Sequence, residues 1–254
     1  MNKTVLLSIT IGLLLLINSC NEKGNKKYTL DYQPQYTEVW PKLNTFIETM
    51  WDSATVTNPS LPKEFITVDY GRTIMFYWDS YFTNVGLLKT PDKIHLARNA
   101  CDNLLFQVEK YGYVPNSNEY WGLNRSQPPY LGIMVYEYYT ASEEKDKIWL
   151  LNAYNTLKKE YHFWTDTSSN AIENNCTSIP GLNRYNHHAS NEDLLELYVQ
   201  LYRRDLVNSH PDSISEEEKM TTASPFAAEA ESGMDYTPRF ENRCPDFIAV
   251  DLND

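Results

Sequence analysis

The sequence predicts an all-α fold of helix pairs packed around a centre. Three observations carry that reading. Apolar residues recur every three or four positions through several long segments, and those segments open or close on capping residues. Strand-like alternation is scarce outside a short piece at residues 65–68. In 254 residues, 42% of them hydrophobic, there is material for one substantial core rather than two domains.

The elements follow in order. Lys3 precedes an apolar run at residues 5–17, shorter than the roughly 20 residues a membrane-spanning helix needs. The run ends in Ile17-Asn18-Ser19-Cys20, a pattern that resembles a lipobox. Residues 1–19 then read as a signal peptide, Cys20 as the acylated mature N-terminus, and residues 20–27 as a polar tether. Residues 28–254 form the folded domain. The expected location is outside the cytoplasm, lipid-anchored on the periplasmic or cell-surface side of a bacterial membrane.

Trp40, Leu43, Phe46 or Ile47, and Met50 form the stripe of a helix with one buried face. Thr90-Pro91-Asp92 supplies a hydroxyl cap, a first-turn proline and an acid. The stripe Ile94, Ala97, Cys101, Leu104 and Val108 follows it and ends before Gly112. Ser142 with Glu143 and Glu144 opens a helix striped by Ile148, Leu151, Tyr154, Leu157, Tyr161 and Trp164. Asn191-Glu192-Asp193 starts another, through Leu194, Leu197 or Tyr198, and Leu201. Residues 209–222 read as a solvated loop and helix start. The long loops between helices hold the unusual residues, so function belongs in loops at one end of the frame.

Composition narrows the partner. A formal net charge of −12 repels a phosphate backbone, which excludes nucleic acid. Aromatic residues make up 13% of the chain, with 19 Tyr and 6 Trp. Aromatic faces pack on the C–H faces of pyranoses, although most of these rings fill a helical core. Without Cys20, the cysteines are Cys101, Cys176 and Cys244, which allow at most one bridge. Neither they nor the five His show metal-ligand spacing, so no metal or other cofactor is expected.

Three segments stand out as loops. The first is Phe76-Tyr77-Trp78-Asp79-Ser80-Tyr81-Phe82. The second runs from Tyr111-Gly112-Tyr113-Val114-Pro115-Asn116-Ser117-Asn118 to Leu123-Asn124-Arg125-Ser126-Gln127-Pro128-Pro129. The third is Ala230-Glu231-Ser232-Gly233-Met234-Asp235-Tyr236-Thr237-Pro238-Arg239-Phe240, with Val250-Asp251-Leu252-Asn253 after it. In order and spacing they resemble the YYWDSYF, YGxIPNGN, LSRSQPP, ESGWDxSSRW and VDLN blocks of trehalases, glycoside hydrolase family 37. Leu182-Asn183-Arg184-Tyr185 is similar to the start of the family's LNRYWD.

The resemblance implies an (α/α)6 toroid of the six-hairpin glycosidase type, here incomplete. It implies inverting hydrolysis of the α-glucosidic bond of trehalose, a reaction that needs a proton donor and an opposing carboxylate. The donor carries over to Asp235; by itself an Asp in such a loop is a helix cap or ion-pair partner. Gly233 would let the backbone approach the substrate. Trp78 would wall one glucose subsite and Asp79 would accept hydroxyl hydrogen bonds, the alternative being a helix N-terminus with a buried Trp. Asn116, Arg125 and Gln127 would supply further polar contacts, because each sugar hydroxyl must replace its lost water. Pro128 and Pro129 stiffen a turn and start a helix.

Some residues depart from the pattern. The family's PGGRF stretch is represented only by Asp69-Tyr70-Gly71-Arg72-Thr73, in which Arg72 matches the arginine. Met234 stands where the family has Trp. Asn186-His187-His188-Ala189-Ser190-Asn191-Glu192 replaces a segment with an Arg-x-Glu contact, leaving Glu192 as the stand-in and His187 and His188 as either sugar contacts or solvent-exposed residues. Family members continue well past VDLN and carry the base Glu there. A chain ending at Asp254 is therefore expected to lack the base and to be a fragment, a truncated product or one part of a whole. The competing readings are a related α-glucosidase and a noncatalytic sugar-binding lipoprotein or remnant.

Overall fold

The computed structural model describes residues 39–165, 183–234 and 249–250. The chain divides into two units, residues 1–47 and 48–254. Helix α1 (Val39–Ala54) crosses that division. The stripe predicted to be buried is instead exposed at Trp40, Leu43, Phe46 and Ile47. Periodicity marks an amphipathic face and leaves its covering partner unspecified.

In the second unit, β1 (Thr55–Val56) pairs antiparallel with β2 (Phe65–Ile66), which accounts for the short alternation at 65–68. Four helices follow: α2 (Tyr77–Leu87), α3 (Ile94–Tyr111), α4 (Leu131–Ala141) and α5 (Lys147–Thr165). Helix α3 packs against each of the other three, and α4 against α5. The predicted α3 stripe holds: Ala97, Cys101, Leu104 and Val108 are buried among Leu87, Leu131, Met134, Trp149 and Ala153. Fully burying a residue of Leu or Val size stabilises the fold by about 1.5–3 kcal/mol, so this face centres the bundle on α3. A second core joins α6 (Asn191–Arg203) to α7 (Glu216–Glu231) through Leu194, Tyr198, Leu201, Ala223 and Phe226. Strand β3 (Asn183–Arg184) pairs antiparallel with β4 (Ala249–Val250).

The helix ends correct some expectations. Gly112 stops α3 at φ +86°, with its N–H on the Val108 carbonyl at 2.8 Å, a conformation that favours glycine. Thr90 does not cap α3; its hydroxyl bonds back to the Gly86 carbonyl, and a 3₁₀ turn at Pro91–Lys93 leads into the helix. Ser142 closes α4 rather than opening α5, whose first N–H groups, at Ile148 and Trp149, go to the Asp146 carboxylate. Ser190 caps α6 in a reciprocal box with Asp193.

The α5 stripe is the larger correction. Ile148, Leu151, Tyr154 and Tyr161 are all more than half exposed. The buried face carries Trp149, Ala153, Thr156, Glu160, Phe163 and Trp164. Two of those are polar, and each has a partner: Thr156 donates to Glu109, and Glu160 accepts from Tyr77.

Candidate active site

The segment leading into α2 is laid alongside residues 116–118. Phe76 and Ser117 form an antiparallel bridge. The Tyr77 N–H donates to the Asn116 carbonyl at 3.1 Å, and the Asn118 N–H to the Met75 carbonyl at 3.2 Å. The Asn118 side chain accepts from the Met75 N–H at 2.7 Å. The Asn116 N–H in turn donates to the Arg125 carbonyl at 2.8 Å, and the Ser126 hydroxyl to the Val114 carbonyl. Blocks some forty residues apart are thus fixed by backbone hydrogen bonds.

The first block is not a loop. Trp78 and Asp79 occupy the first turn of α2, where backbone N–H groups lack helical partners. The N-cap side chain, Phe76, cannot accept a hydrogen bond; the Gln127 amide oxygen takes the Trp78 N–H instead, at 3.0 Å. Trp78 is thus a helix-start residue, as one of the two readings had it, but half-buried rather than buried, with its backbone tied to Gln127.

Trp78, Asp79, Asn116, Arg125, Gln127 and Gly233 line one cleft of about 700 Å³. Arg72 lies in the same lining, largely exposed and paired with Asp69 at 3.1 Å. Asn116 and Gln127 are almost fully buried. One Arg125 nitrogen donates to the Trp121 carbonyl and to the Asn124 side chain, which fixes the plane of the guanidinium. Gly233 has φ +72°, and a Cβ there would come within 2.8 Å of the Trp78 ring. The close approach that the structure shows at this glycine is to the Trp78 indole. Asp235 and Cys20 lie outside the described residues.

A further wall of the cleft was not anticipated. Asp193, Glu196, Leu197 and Gln200 from α6, with Arg204 just beyond it, line the same space. Glu192, the expected stand-in, is exposed and belongs to no part of the lining. The signal was available in the spacing 193, 196, 200 and 204, a polar helical stripe on the side away from Leu194, Tyr198 and Leu201.

His187 and His188 are packed rather than solvated, and neither lines the cleft. His187 Nε2 lies 2.8 Å from the Ser224 hydroxyl. Burial, helped by His188 and Arg125, lowers its pKa to about 4. The His188 ring lies tilted against those of Tyr113 and Phe163, and burial lowers its pKa too. The Tyr113 and Tyr185 phenols are pushed up to about 12 by burial and by the Glu231 charge. Cys101 is a free, buried thiol whose pKa burial raises. Among the described residues no His, Cys, Asp and Glu cluster could hold a metal ion.

An all-helical frame with an indole, carboxylates, amides and a guanidinium gathered in one open cleft is a scaffold of the six-hairpin glycosidase class. The comparisons agree. The trehalase family profile matches residues 38–254. A trehalase of Arabidopsis thaliana is 32% identical over 197 residues, which cover 70% of this chain and 29% of that protein. A trehalase of Tenebrio molitor is 30% identical over 229 residues, 85% of this chain and 33% of that protein. Among solved structures, the neutral trehalase of Saccharomyces cerevisiae shares the fold with a TM-score of 0.54 and 24% identity, over 75% of this chain and 38% of that one. The chain belongs to the trehalase family, and its helices form part of an (α/α)6 toroid. It spans about a third of the length of the relatives it matches.

Proposed function

We propose that this chain forms the sugar-binding wall and carries the general acid of a glycosidase that hydrolyses trehalose to glucose with inversion. The observation that supports it best is the convergence of Trp78, Asp79, Asn116, Arg125 and Gln127 on one cleft. In this reading the Trp78 ring packs on the apolar face of a glucose and Asp79 accepts from its hydroxyls. Gln127, whose oxygen is held by the Trp78 N–H, presents its NH₂ group to the sugar. Asp235, two residues beyond the Gly233 that contacts Trp78, protonates the leaving oxygen, and a carboxylate opposite it activates water. No cofactor takes part.

Glucose release from trehalose by the full chain tests this. A positioned acid contributes about 10²- to 10⁴-fold, so Asp235→Asn is expected to lose most of kcat while keeping affinity. A fully active Asp235→Asn would identify a different acid. A related α-glucoside is the second reading, favoured by Met234 in place of the family's Trp and by the Asp193, Glu196 and Arg204 wall. Parallel assays on trehalose and other α-glucosides separate the two, and an inert but sugar-binding full chain would favour a noncatalytic lipoprotein.

Export and lipid anchoring at Cys20 belong to the same reading, supported by the residues 17–20 pattern. Labelled palmitate should enter the wild type and not Cys20→Ala; label retained in the variant would refute acylation there.

A further inference from the structure

Glu231 is the last residue of α7 and is fully buried. Its position is unfavourable on two counts. A carboxylate at a helix C-terminus opposes the helix dipole, and a buried charge costs several kcal/mol, in order of magnitude, unless its oxygens are well satisfied. The oxygens are satisfied from outside the helix. One accepts the Ser126 N–H at 2.8 Å, and the other the Asn186 N–H at 2.5 Å.

Those two donors belong to segments sixty residues apart. Ser126 lies between Arg125 and Gln127, both in the cleft lining. Asn186 begins the segment whose His188 N–H donates to the Asn124 carbonyl at 2.6 Å, which closes a ring of hydrogen bonds back to the same loop. Two residues after Glu231, Gly233 meets the Trp78 ring. A single carboxylate therefore joins three of the blocks that build the cleft, without itself lining it.

We propose that Glu231 is a positioning residue. Its carboxylate holds the Arg125–Gln127 loop and the Asn186 segment in register with the end of α7, and so fixes where Arg125 and Gln127 meet the sugar. This rests on the sugar-site reading above. Charge-assisted hydrogen bonds to backbone N–H groups are strong and directional, and a one-ångström displacement of a positioning contact can cost 10²-fold. An amide at this position keeps one acceptor and sets an NH₂ against the other N–H.

The test compares wild type, Glu231→Gln and Glu231→Asp as full chains. It uses trehalose kinetics, melting temperature, and amide hydrogen exchange at Ser126 and Asn186. In wild type both amides should exchange slowly. In Glu231→Gln at least one should exchange at least tenfold faster, with KM raised about tenfold or more and kcat changed far less. Glu231→Asp, which keeps the charge but has a shorter reach, should fall between the two. A lower melting temperature with KM unchanged in the folded variant would reduce Glu231 to a packing role and overturn the proposal. A collapse of kcat at unchanged KM would also overturn it, by making Glu231 part of the chemistry. Should Glu231→Gln fail to fold, fast exchange of either amide in wild type still refutes the proposal. A wild type that neither binds nor cleaves sugar removes the function reading, while the exchange measurements still decide the positioning.

Discussion

Two buried glutamates divide the labour of this fold. Glu160, on α5, accepts from the Tyr77 hydroxyl, which also accepts from the Leu131 N–H at 2.9 Å. That contact joins three helices through their cores. Glu231 accepts from the loop backbone at Ser126 and Asn186, and so joins loops to a helix end. The first arrangement sets the frame, and the second sets the lining of the cleft. Changes at the first should therefore be read in stability, and changes at the second in sugar affinity.

The largest effect is expected at Glu160→Ala. It leaves the buried Tyr77 hydroxyl without its acceptor and opens a cavity, together costing about 3–5 kcal/mol. That corresponds to a melting temperature lower by roughly 10 °C. The affinity of the folded fraction for sugar should stay near wild type, and calorimetric melting with a parallel sugar titration checks both. A large loss of affinity without loss of stability would erase the distinction.

The two halves should also answer pH in opposite senses. Burial raises the Glu160 pKa to about 7, so its contribution to stability is complete below about 4.5 and is lost as pH rises towards 7. Burial first, then His188 and Arg125, lowers the His187 pKa to about 4. Its contribution is complete above about 6.5 and is lost as pH falls towards 4. Between pH 4.5 and 6.5 the two slopes offset one another, each amounting to about 2–3 kcal/mol. Glu160→Gln should unmask a stability that rises with pH across that window, and His187→Gln one that falls. Denaturant melts at several pH values would show it, and parallel curves for wild type and both variants would contradict it.

The smallest expected effect on stability is at Gly233→Ala. A left-handed backbone at a non-glycine residue costs about 1–3 kcal/mol, and the new Cβ must push the Trp78 ring aside. Sugar affinity should drop about tenfold or more while the helices remain formed. Unchanged affinity would separate the Trp78 ring from the site.

Much of the frame was legible in the sequence. The α3 stripe, its Gly112 stop and the α6 start at Asn191 follow from local rules, and the structure shows all three. Helix α5 misled because its inward face includes Thr156 and Glu160 while Ile148 and Leu151 look out. Hydropathy counts apolar residues and cannot count the Glu109 and Tyr77 partners that make polar burial affordable. The cleft blocks were legible as motifs, but the contact between Gly233 and Trp78 was not, because it joins positions far apart in the chain. The α6 wall is hard to read from the motif alone, because Glu192 matches it while the adjacent Asp193 lines the cleft. Asp193 also caps its helix with Ser190, so its two duties share one side chain.

A crystal structure of the full-chain Asp235→Asn variant with trehalose tests the central claim most directly. The expected result is one glucose ring against the Trp78 indole, with its hydroxyls hydrogen-bonded to Asp79 and Gln127. A sugar bound elsewhere, with no contact to any of these three, would contradict the account.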